Sequence, residues 1–216
     1  MARVETRRTG AAGTRELLLR AGEELFAERG VDGTRLREVV ERAGQANTSA
    51  LHYYFGSREG LLRTIVTRHR RRVDAALAPA LGALERGGSG ELPSLVSAYV
   101  EAEASELAHE SGRDCLRIVA QLAHETGFRD GVPHPALQDS TLWRLFGLIA
   151  ARIADVTGLS EPYARERVEV MVMTVGAAFA DRARSVRAGR PCPVEGQAYR
   201  ADLAAMITAM LAAPPP

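Results

Sequence analysis

The length and composition of the chain exclude several classes of protein. Its 216 residues are 46% hydrophobic, which is enough to bury a sizeable core, yet no apolar run reaches the roughly 20 residues that a membrane-spanning helix needs. We therefore expect a soluble, cytoplasmic protein with no membrane partner. The two cysteines, Cys115 and Cys192, are too few for a disulfide framework, and we expect both to be thiols.

The net charge of +1 hides an uneven distribution along the chain. Residues 1–72 contain 15 Arg and 9 acidic residues, which gives +6, whereas residues 73–216 contain 13 Arg and 18 acidic residues, which gives −5. A basic N-terminal third favours a polyanionic partner such as DNA. A solvated charged face explains the same distribution equally well.

Apolar residues recur at spacings of three and four residues, and no segment alternates between apolar and polar residues as a strand does. This pattern predicts an all-α fold. A first helix is predicted from about Thr14 to Arg29, with Gly30 as the residue that ends it. Thr34 is the predicted N-cap of a short second helix, which Gly44 ends.

Two more helices are predicted directly after a short turn. Asn47 is the predicted cap of a third helix from Thr48 to Tyr54, and Ser57 is the predicted cap of a fourth helix that runs from Arg58 towards Leu81. The later periodic segments predict helices over 93–111, 113–125, 137–157, 161–188 and 196–212.

The second and third predicted helices form a helix-turn-helix arrangement, because a short turn with a glycine joins them and the first helix covers their apolar faces. The second helix of such a pair is the one that enters the major groove of DNA. Here it carries Leu51 and Phe55 as an apolar pair at i, i+4, while Ser49 and His52 are among its hydrogen-bonding residues. One side of this helix is therefore predicted to be buried and the other to meet base edges.

The stretch TRELLLRAGEELFAERGVDGTRLREVVERAGQANTSALHYYFGSREGLL, Thr14 to Leu62, resembles the DNA-binding domain of the tetracycline-repressor (TetR) family. The matching pieces are ELFAERG, ERAG, HYYF and GSREGLL, in this order and at the family's spacing. The resemblance implies an all-α protein with an N-terminal three-helix helix-turn-helix domain over residues 1–57. It also implies a C-terminal helical ligand-binding and dimerisation domain over residues 58–216.

The function that the resemblance implies is ligand-responsive regulation of transcription. We expect a repressor that binds a pseudo-palindromic double-stranded DNA operator as a homodimer and is released by a small-molecule effector. The alternative is a helical protein-interaction module without DNA binding. The resemblance assigns base contacts to Thr48, Ser49 and His52, and a base or phosphate contact to Arg37. The residues that it assigns to phosphates are Thr34, Arg35, Tyr53, Tyr54 and Arg58.

The sequence departs from the family pattern in its turn, at Gly22 and Val40 where Ala is usual, and at Ala50 where a hydroxyl-bearing residue is common. The turn Gly44-Gln45-Ala46-Asn47 is one residue longer than usual, which leaves the orientation of the recognition helix open. Gly22 stands where Ala is usual and is expected to weaken the first helix by roughly 0.5 to 1 kcal/mol. In addition, the N-terminal residues Arg3, Arg7 and Arg8 are expected to form an arm that reaches the neighbouring minor groove.

In the C-terminal domain, residues 58–216, candidate residues for a ligand pocket and a dimer interface are suggested by residue type and apolar pattern. The candidates for a ligand pocket are Tyr99, His109, Arg117, His124, Phe128, Trp143, Phe146 and Met173. Ordinary packing is the alternative for each of them, and a surface salt bridge is the alternative for Arg117. Broad apolar stripes on two late helices predict a dimer interface made of Val168, Met171, Val175, Phe179, Leu203, Met206, Ile207 and Met210. The alternative for these stripes is an internal core.

No pattern of residues indicates catalysis. The dipeptides His109-Glu110 and His124-Glu125 lack a following His at the metalloprotease spacing, and no pair of Cys residues or Cys with His has the spacing of a metal site. We therefore expect no enzyme activity, no catalytic residues, no metal and no cofactor.

Overall fold

The computed structural model describes residues 2–87 and 90–215, with side chains from residue 13 onward. The predicted arm of Arg3, Arg7 and Arg8 lies outside the described side chains. All regular elements of the described ranges are helices, so the predicted all-α fold is confirmed. None of these helices combines the length and the apolar character that crossing a bilayer requires. The chain folds as two compact units, an N-terminal unit of residues 1–68 and a C-terminal unit of residues 69–216.

The N-terminal unit is built from three helices and the first turns of a fourth. Their bounds are α1 (Ala2–Arg29), α2 (Leu36–Arg42), α3 (Ser49–Phe55) and α4 (Arg58–Arg86). Helix α1 begins twelve residues before the predicted start at Thr14. Alanine and arginine, which favour helices, are frequent in this opening segment, and this composition explains the earlier start.

The core of the N-terminal unit is apolar and closely packed. Its fully buried side chains include Leu18, Leu25, Phe26, Val39, Leu51, Leu61 and Ile65. Gly22 faces this core, because a Cβ atom built on it would lie 2.9 Å from Cδ2 of Leu61 and 3.3 Å from Cδ1 of Ile65. The glycine therefore makes room for these two α4 side chains.

Glycine ends α2 through a Schellman motif. Gly44 has a φ of +66°, its N–H donates to the carbonyl of Glu41 at 3.0 Å, and the N–H of Gln45 donates to the carbonyl of Val40 at 3.0 Å. Gly44 is therefore the helix stop that the sequence predicted. The residue that precedes α2 as its N-cap is Arg35, one position after the predicted cap.

The C-terminal unit consists of the rest of α4 and five more helices. These are α5 (Leu92–Ala104), α6 (Glu110–Val119), α7 (Thr141–Thr157), α8 (Glu161–Arg187) and α9 (Gly196–Leu211). Two short 3₁₀ segments, Ser105–Ala108 and Ala123–Glu125, follow α5 and α6. Helix α8 packs against α6 and α7, and α9 packs against α5, so α8 lies at the centre of the unit. Cys115 is buried, and both cysteines are free thiols as predicted.

Several helix bounds differ from the predicted ones because short loops interrupt the periodic pattern. The predicted helix over 93–111 ends at Ala104 and continues as a 3₁₀ turn. The predicted helix over 137–157 begins only at Thr141, where the hydroxyl of Ser140 accepts a hydrogen bond from the N–H of Trp143 at 3.0 Å. Asp139, with a φ of +55°, forms the bend that precedes this cap.

Candidate nucleic-acid interface

Helix α3 has one buried and one exposed side. Leu51 and Phe55 are buried, whereas Ser49, His52 and Tyr53 are exposed, and 82% of Tyr53 is accessible to solvent. These five positions are divided between core and surface as the sequence predicted. The hydrogen-bonding side of α3 is thus available for a partner, because its apolar side fixes the helix to the core.

The start of α3 is held by an asparagine. The side-chain oxygen of Asn47 accepts a hydrogen bond from the N–H of Ser49 at 2.9 Å, but the N-cap of α3 is Thr48, one position after the predicted cap. Thr48, at the boundary itself, is half-buried and makes no capping bond with its side chain. The longer turn therefore places a hydrogen-bonding asparagine two positions before the first residue of α3.

The imidazole of His52 is oriented by a hydrogen bond at the other end of α3. Its Nδ1 lies 2.9 Å from the carbonyl oxygen of Gly56. Because a carbonyl oxygen only accepts, Nδ1 must be the donor, and Nε2 of a neutral ring is then an acceptor. The exposed part of His52 is thus prepared to accept a hydrogen bond.

Thr34 differs from the other predicted phosphate contacts. It is buried, and its hydroxyl lies 3.1 Å from the carbonyl oxygen of Leu25 and 2.9 Å from that of Gly30. This hydroxyl holds the last turn of α1 and is not available to a phosphate. The assignment of Thr34 to a phosphate contact is therefore corrected, because its side chain has a structural role.

Arg58 also belongs largely to the fold. Its Nε donates to the carbonyl of Thr34 at 3.1 Å, and its guanidinium lies 5.7 Å from the ring centre of Phe26. The carboxylates of Asp32 and Glu59 lie within 4 Å of its terminal nitrogens. The side chain of Arg58 therefore joins the start of α4 to the start of α2, although a quarter of it remains accessible. Ser57 caps α4 as predicted, accepting from the N–H of Gly60 at 3.1 Å.

The remaining candidates lie at the surface. Arg35 and Arg37 are exposed, and Arg37 forms an exposed ion pair with Glu41 at 2.9 Å, while Tyr54 is half-buried. Sequence reasoning missed Arg15, whose guanidinium lies 5.3 Å from the ring centre of Phe55. Arg15 is exposed on α1, and no spacing rule links two residues that are so far apart in the sequence.

A family model matches most of the N-terminal unit. Residues 18–65 match the model described as bacterial regulatory proteins of the tetR family. This match extends from α1 through α2 and α3 into α4, so it includes the two helices and the turn of the predicted helix-turn-helix.

Solved structures share the TetR fold over nearly the whole chain. NalD, the secondary repressor of the MexAB-OprM multidrug efflux pump in Pseudomonas aeruginosa, is 18% identical, with 92% of this chain and 95% of NalD covered and a TM-score of 0.54. A TetR-like transcriptional regulator from Rhodococcus sp. RHA1 is 20% identical, with 92% and 93% covered and a TM-score of 0.53. No curated protein matches the chain significantly by sequence.

Four of the eight predicted pocket residues lie together in the C-terminal unit. Tyr99, Phe128 and Phe146 are buried, Trp143 is half-buried, and their rings form successive edge-to-face pairs. The other four do not join this row of rings. His109 and His124 are exposed, Met173 packs at the margin of the core, and the guanidinium of Arg117 lies 3.7 Å from the buried carboxylate of Asp114.

A buried ionic cluster connects α4 with the end of α5. Nδ1 of His69 lies 3.0 Å from Oε2 of Glu106 and its Nε2 lies 3.6 Å from Oε2 of Glu103, while Arg72 donates to both oxygens of Glu106. Burial alone would lower the pKa of His69, but the two carboxylates outweigh it and raise this pKa to about 9. Burial would raise the pKa of Glu106, but His69 and Arg72 lower it to about 2. Sequence reasoning missed this cluster, because its residues come from separate segments.

The predicted dimer residues are mostly internal. Six of them lie in the core of the C-terminal unit, namely Val168, Met171, Val175, Phe179, Leu203 and Ile207. Met210 packs against this core, and Met206 is 55% exposed. The structure corrects the assignment of the six, because the apolar stripes of α8 and α9 face the neighbouring helices of the same chain. The outward sides of α8 and α9 carry other residues, including Val170, Ala177, Ala201, Ala205 and Ala209.

Proposed function

We propose that this protein is a TetR-family repressor that binds a pseudo-palindromic double-stranded DNA operator as a homodimer and leaves it when a small-molecule effector binds. The observation that carries the DNA-binding part is the exposed polar side of α3, where Ser49, His52 and Tyr53 face solvent while Leu51 and Phe55 fix the helix from behind. A short helix supported in this way fits the major groove. NalD, which shares the fold, is a repressor.

Each exposed residue has a role in this proposal. Ser49, His52 and the half-buried Thr48 read base edges, and the Nε2 acceptor of His52 suits the amino group of adenine or cytosine. Tyr53, Tyr54, Arg35 and Arg37 contact phosphates, which fix the register without reading sequence. The accessible part of the Arg58 side chain contacts a phosphate, and the rest of it holds the start of α4. We add Arg15 to the phosphate contacts because it lies beside the end of α3.

The homodimer is proposed from the two-fold symmetry that a palindromic site requires. Its interface is formed by the outward sides of α8 and α9, where small or apolar exposed residues allow two helix pairs to approach closely. These residues are Val170, Thr174, Ala177, Ala201, Ala205, Met206 and Ala209. Sedimentation tests this assignment, because Ala205→Glu should shift the protein to monomers, whereas Val132→Asp on an exposed loop should not.

Fluorescence anisotropy with DNA from the region next to the protein's own gene tests DNA binding. Tyr53→Ala should weaken binding to all sequences, while Tyr163→Ala, an equally simple change at a 60% exposed tyrosine of α8, should have no effect. His52→Ala should instead relax the preference at one base pair. If no duplex binds with salt-dependent affinity, the chain is a helical interaction module and the proposal is wrong.

A further inference from the structure

The arginines of the helix-turn-helix unit are largely compensated by acidic residues. Residues 13–68 contain nine arginines and eight acidic residues, which gives a net charge of only +1. The surplus of +6 in residues 1–72 therefore lies mainly outside this range, in residues 1–12 and 70–72. A unit with so small a net charge attracts a polyanion only weakly at long range, so the local arrangement of its charges decides how it meets phosphates.

Arg37, a proposed phosphate contact on α2, is paired with Glu41 one helical turn later. Its Nε donates to Oε1 of Glu41 at 2.9 Å, and the two side chains are 84% and 59% exposed. Ion pairs that are so exposed contribute little to the stability of a fold. The carboxylate of Glu41 therefore adds little to stability, but it lies directly beside the guanidinium that is proposed to meet the DNA backbone.

Two further carboxylates flank Arg58 at the start of α4. Oδ1 of Asp32 lies 3.9 Å from its Nη2, and Oε1 of Glu59 lies 3.8 Å from its Nη1. The side chain of Arg58 is largely covered, whereas those of Asp32 and Glu59 are exposed. The N–H of Glu59 and the hydroxyl of Ser57 donate to the Glu59 carboxylate and, together with the charge of Arg58, lower its pKa. A phosphate that reaches the accessible part of Arg58 thus meets two negative charges.

The size of this repulsion follows from the distance between the charges. A carboxylate and a phosphate that contact opposite sides of one guanidinium are about 6 to 7 Å apart, and their repulsion in water is then about RT. This repulsion corresponds to about a threefold loss of DNA affinity for each carboxylate, and salt reduces the loss by screening. The loss is the same for every DNA sequence, because phosphates carry no sequence information.

We propose that Asp32, Glu41 and Glu59 are negative determinants of DNA affinity, which weaken the phosphate contacts of Arg37 and Arg58. They keep the sequence-independent part of binding low, so a duplex is bound strongly only when α3 also makes its base contacts. The inference rests on the proposed function, because that function assigns these two arginines to phosphates. The three carboxylates thus oppose binding at the surface where the arginines promote it.

Three neutral variants of the full-length protein test these carboxylates, namely Asp32→Asn, Glu41→Gln and Glu59→Gln. Fluorescence anisotropy measures their binding to two duplexes of equal length, one from the region next to the protein's own gene and one of unrelated sequence. Each variant should bind both duplexes about two- to threefold more tightly than the original protein at about 50 mM salt. The gain should shrink at about 200 mM salt, because screening weakens the repulsion.

The matched control is Asp155→Asn, which removes the same charge and breaks an exposed ion pair of 3.0 Å with Arg152 on α7. This control should leave DNA affinity unchanged, and an equal gain there means that only the net charge of the protein matters. Weaker binding in Glu41→Gln or Glu59→Gln means that the carboxylate orients an arginine or accepts from a cytosine amino group. Either result, or a gain that is confined to one of the two duplexes, overturns the proposal.

The inference and the proposed function fail in different ways. If the original protein binds DNA and the three neutral variants bind it no more tightly, the inference alone is wrong. If neither the original protein nor any variant binds a duplex with salt-dependent affinity, the proposed function is wrong and the inference fails with it. In an Arg37→Ala background, Glu41→Gln should produce a smaller gain, because no phosphate is then held beside the carboxylate. An undiminished gain in that background overturns the action of Glu41 through Arg37.

Discussion

Replacing His69 by Gln should remove a pH-dependent part of the protein's stability. His69 is buried between the carboxylates of Glu103 and Glu106, which raise its pKa to about 9 from 6.5. Since a pKa unit corresponds to about 1.4 kcal/mol, this difference amounts to about 3 kcal/mol of stability. Because the folded pKa is raised, the contribution is complete below about pH 6.5 and is lost as the pH rises through about 9.

The assay is urea unfolding of the original protein and His69→Gln at one protein concentration, at several values between about pH 6 and pH 10. The difference in the free energy of unfolding between the two proteins should shrink by about 3 kcal/mol over this range. Other titrating groups cancel in the difference because both proteins contain them. Glu103→Gln should show a smaller pH-dependent part, since it removes one of the two carboxylates that raise the pKa of His69. If the curves of the original protein and His69→Gln run parallel, His69 is not a charged member of the cluster.

Three further substitutions test the packing of the N-terminal unit by urea unfolding. Gly22→Ala should lower the free energy of unfolding by about 1 kcal/mol, because crowding against Leu61 and Ile65 outweighs the better helix propensity of alanine. The control is Gly13→Ala, which has open space around its Cβ and should raise the free energy of unfolding by about 0.5 kcal/mol or more. A stabilising Gly22→Ala contradicts this packing. Thr34→Val should cost about 1 to 2 kcal/mol without changing the DNA affinity of the folded protein, and Thr34→Ser should restore the stability. Leu51→Ala should cost about 2 to 5 kcal/mol, and a smaller loss would mean that α3 is not fixed through this side chain.

The N-terminal unit was largely predictable because its signals are local. Gly30, Gly44 and Ser57 end or cap helices through contacts within a few residues, so their roles follow from residue type and position. The division of α3 into a buried and an exposed side follows from helical periodicity. Thr34 was predicted less well, because its hydroxyl bonds to carbonyls at the end of the preceding helix, which no local pattern reveals.

The C-terminal unit was predictable in its helices but not in the neighbours of those helices. An apolar stripe such as that of Val168, Val175 and Phe179 predicts that these residues are buried. It does not show whether the helix that covers them belongs to the same chain or to a partner, because the sequence pattern is identical in both cases. The structure places these residues in the internal core. That the rings of Tyr99, Phe128 and Phe146 pack together likewise could not be predicted without the tertiary structure, because these residues come from three separate segments.

The amino-acid sequence by itself determined the helical fold class, the helix-turn-helix and the resemblance of the N-terminal unit to a known family, since these depend on periodicity, caps and a motif of fixed spacing. Only the tertiary structure decided which charged and aromatic side chains meet. His69, Glu103 and Glu106 form one buried cluster because α4 packs beside the end of α5, and this packing depends on contacts between residues that are distant along the chain. A residue's type limits which contacts it can make, but the folded chain determines which of them it makes.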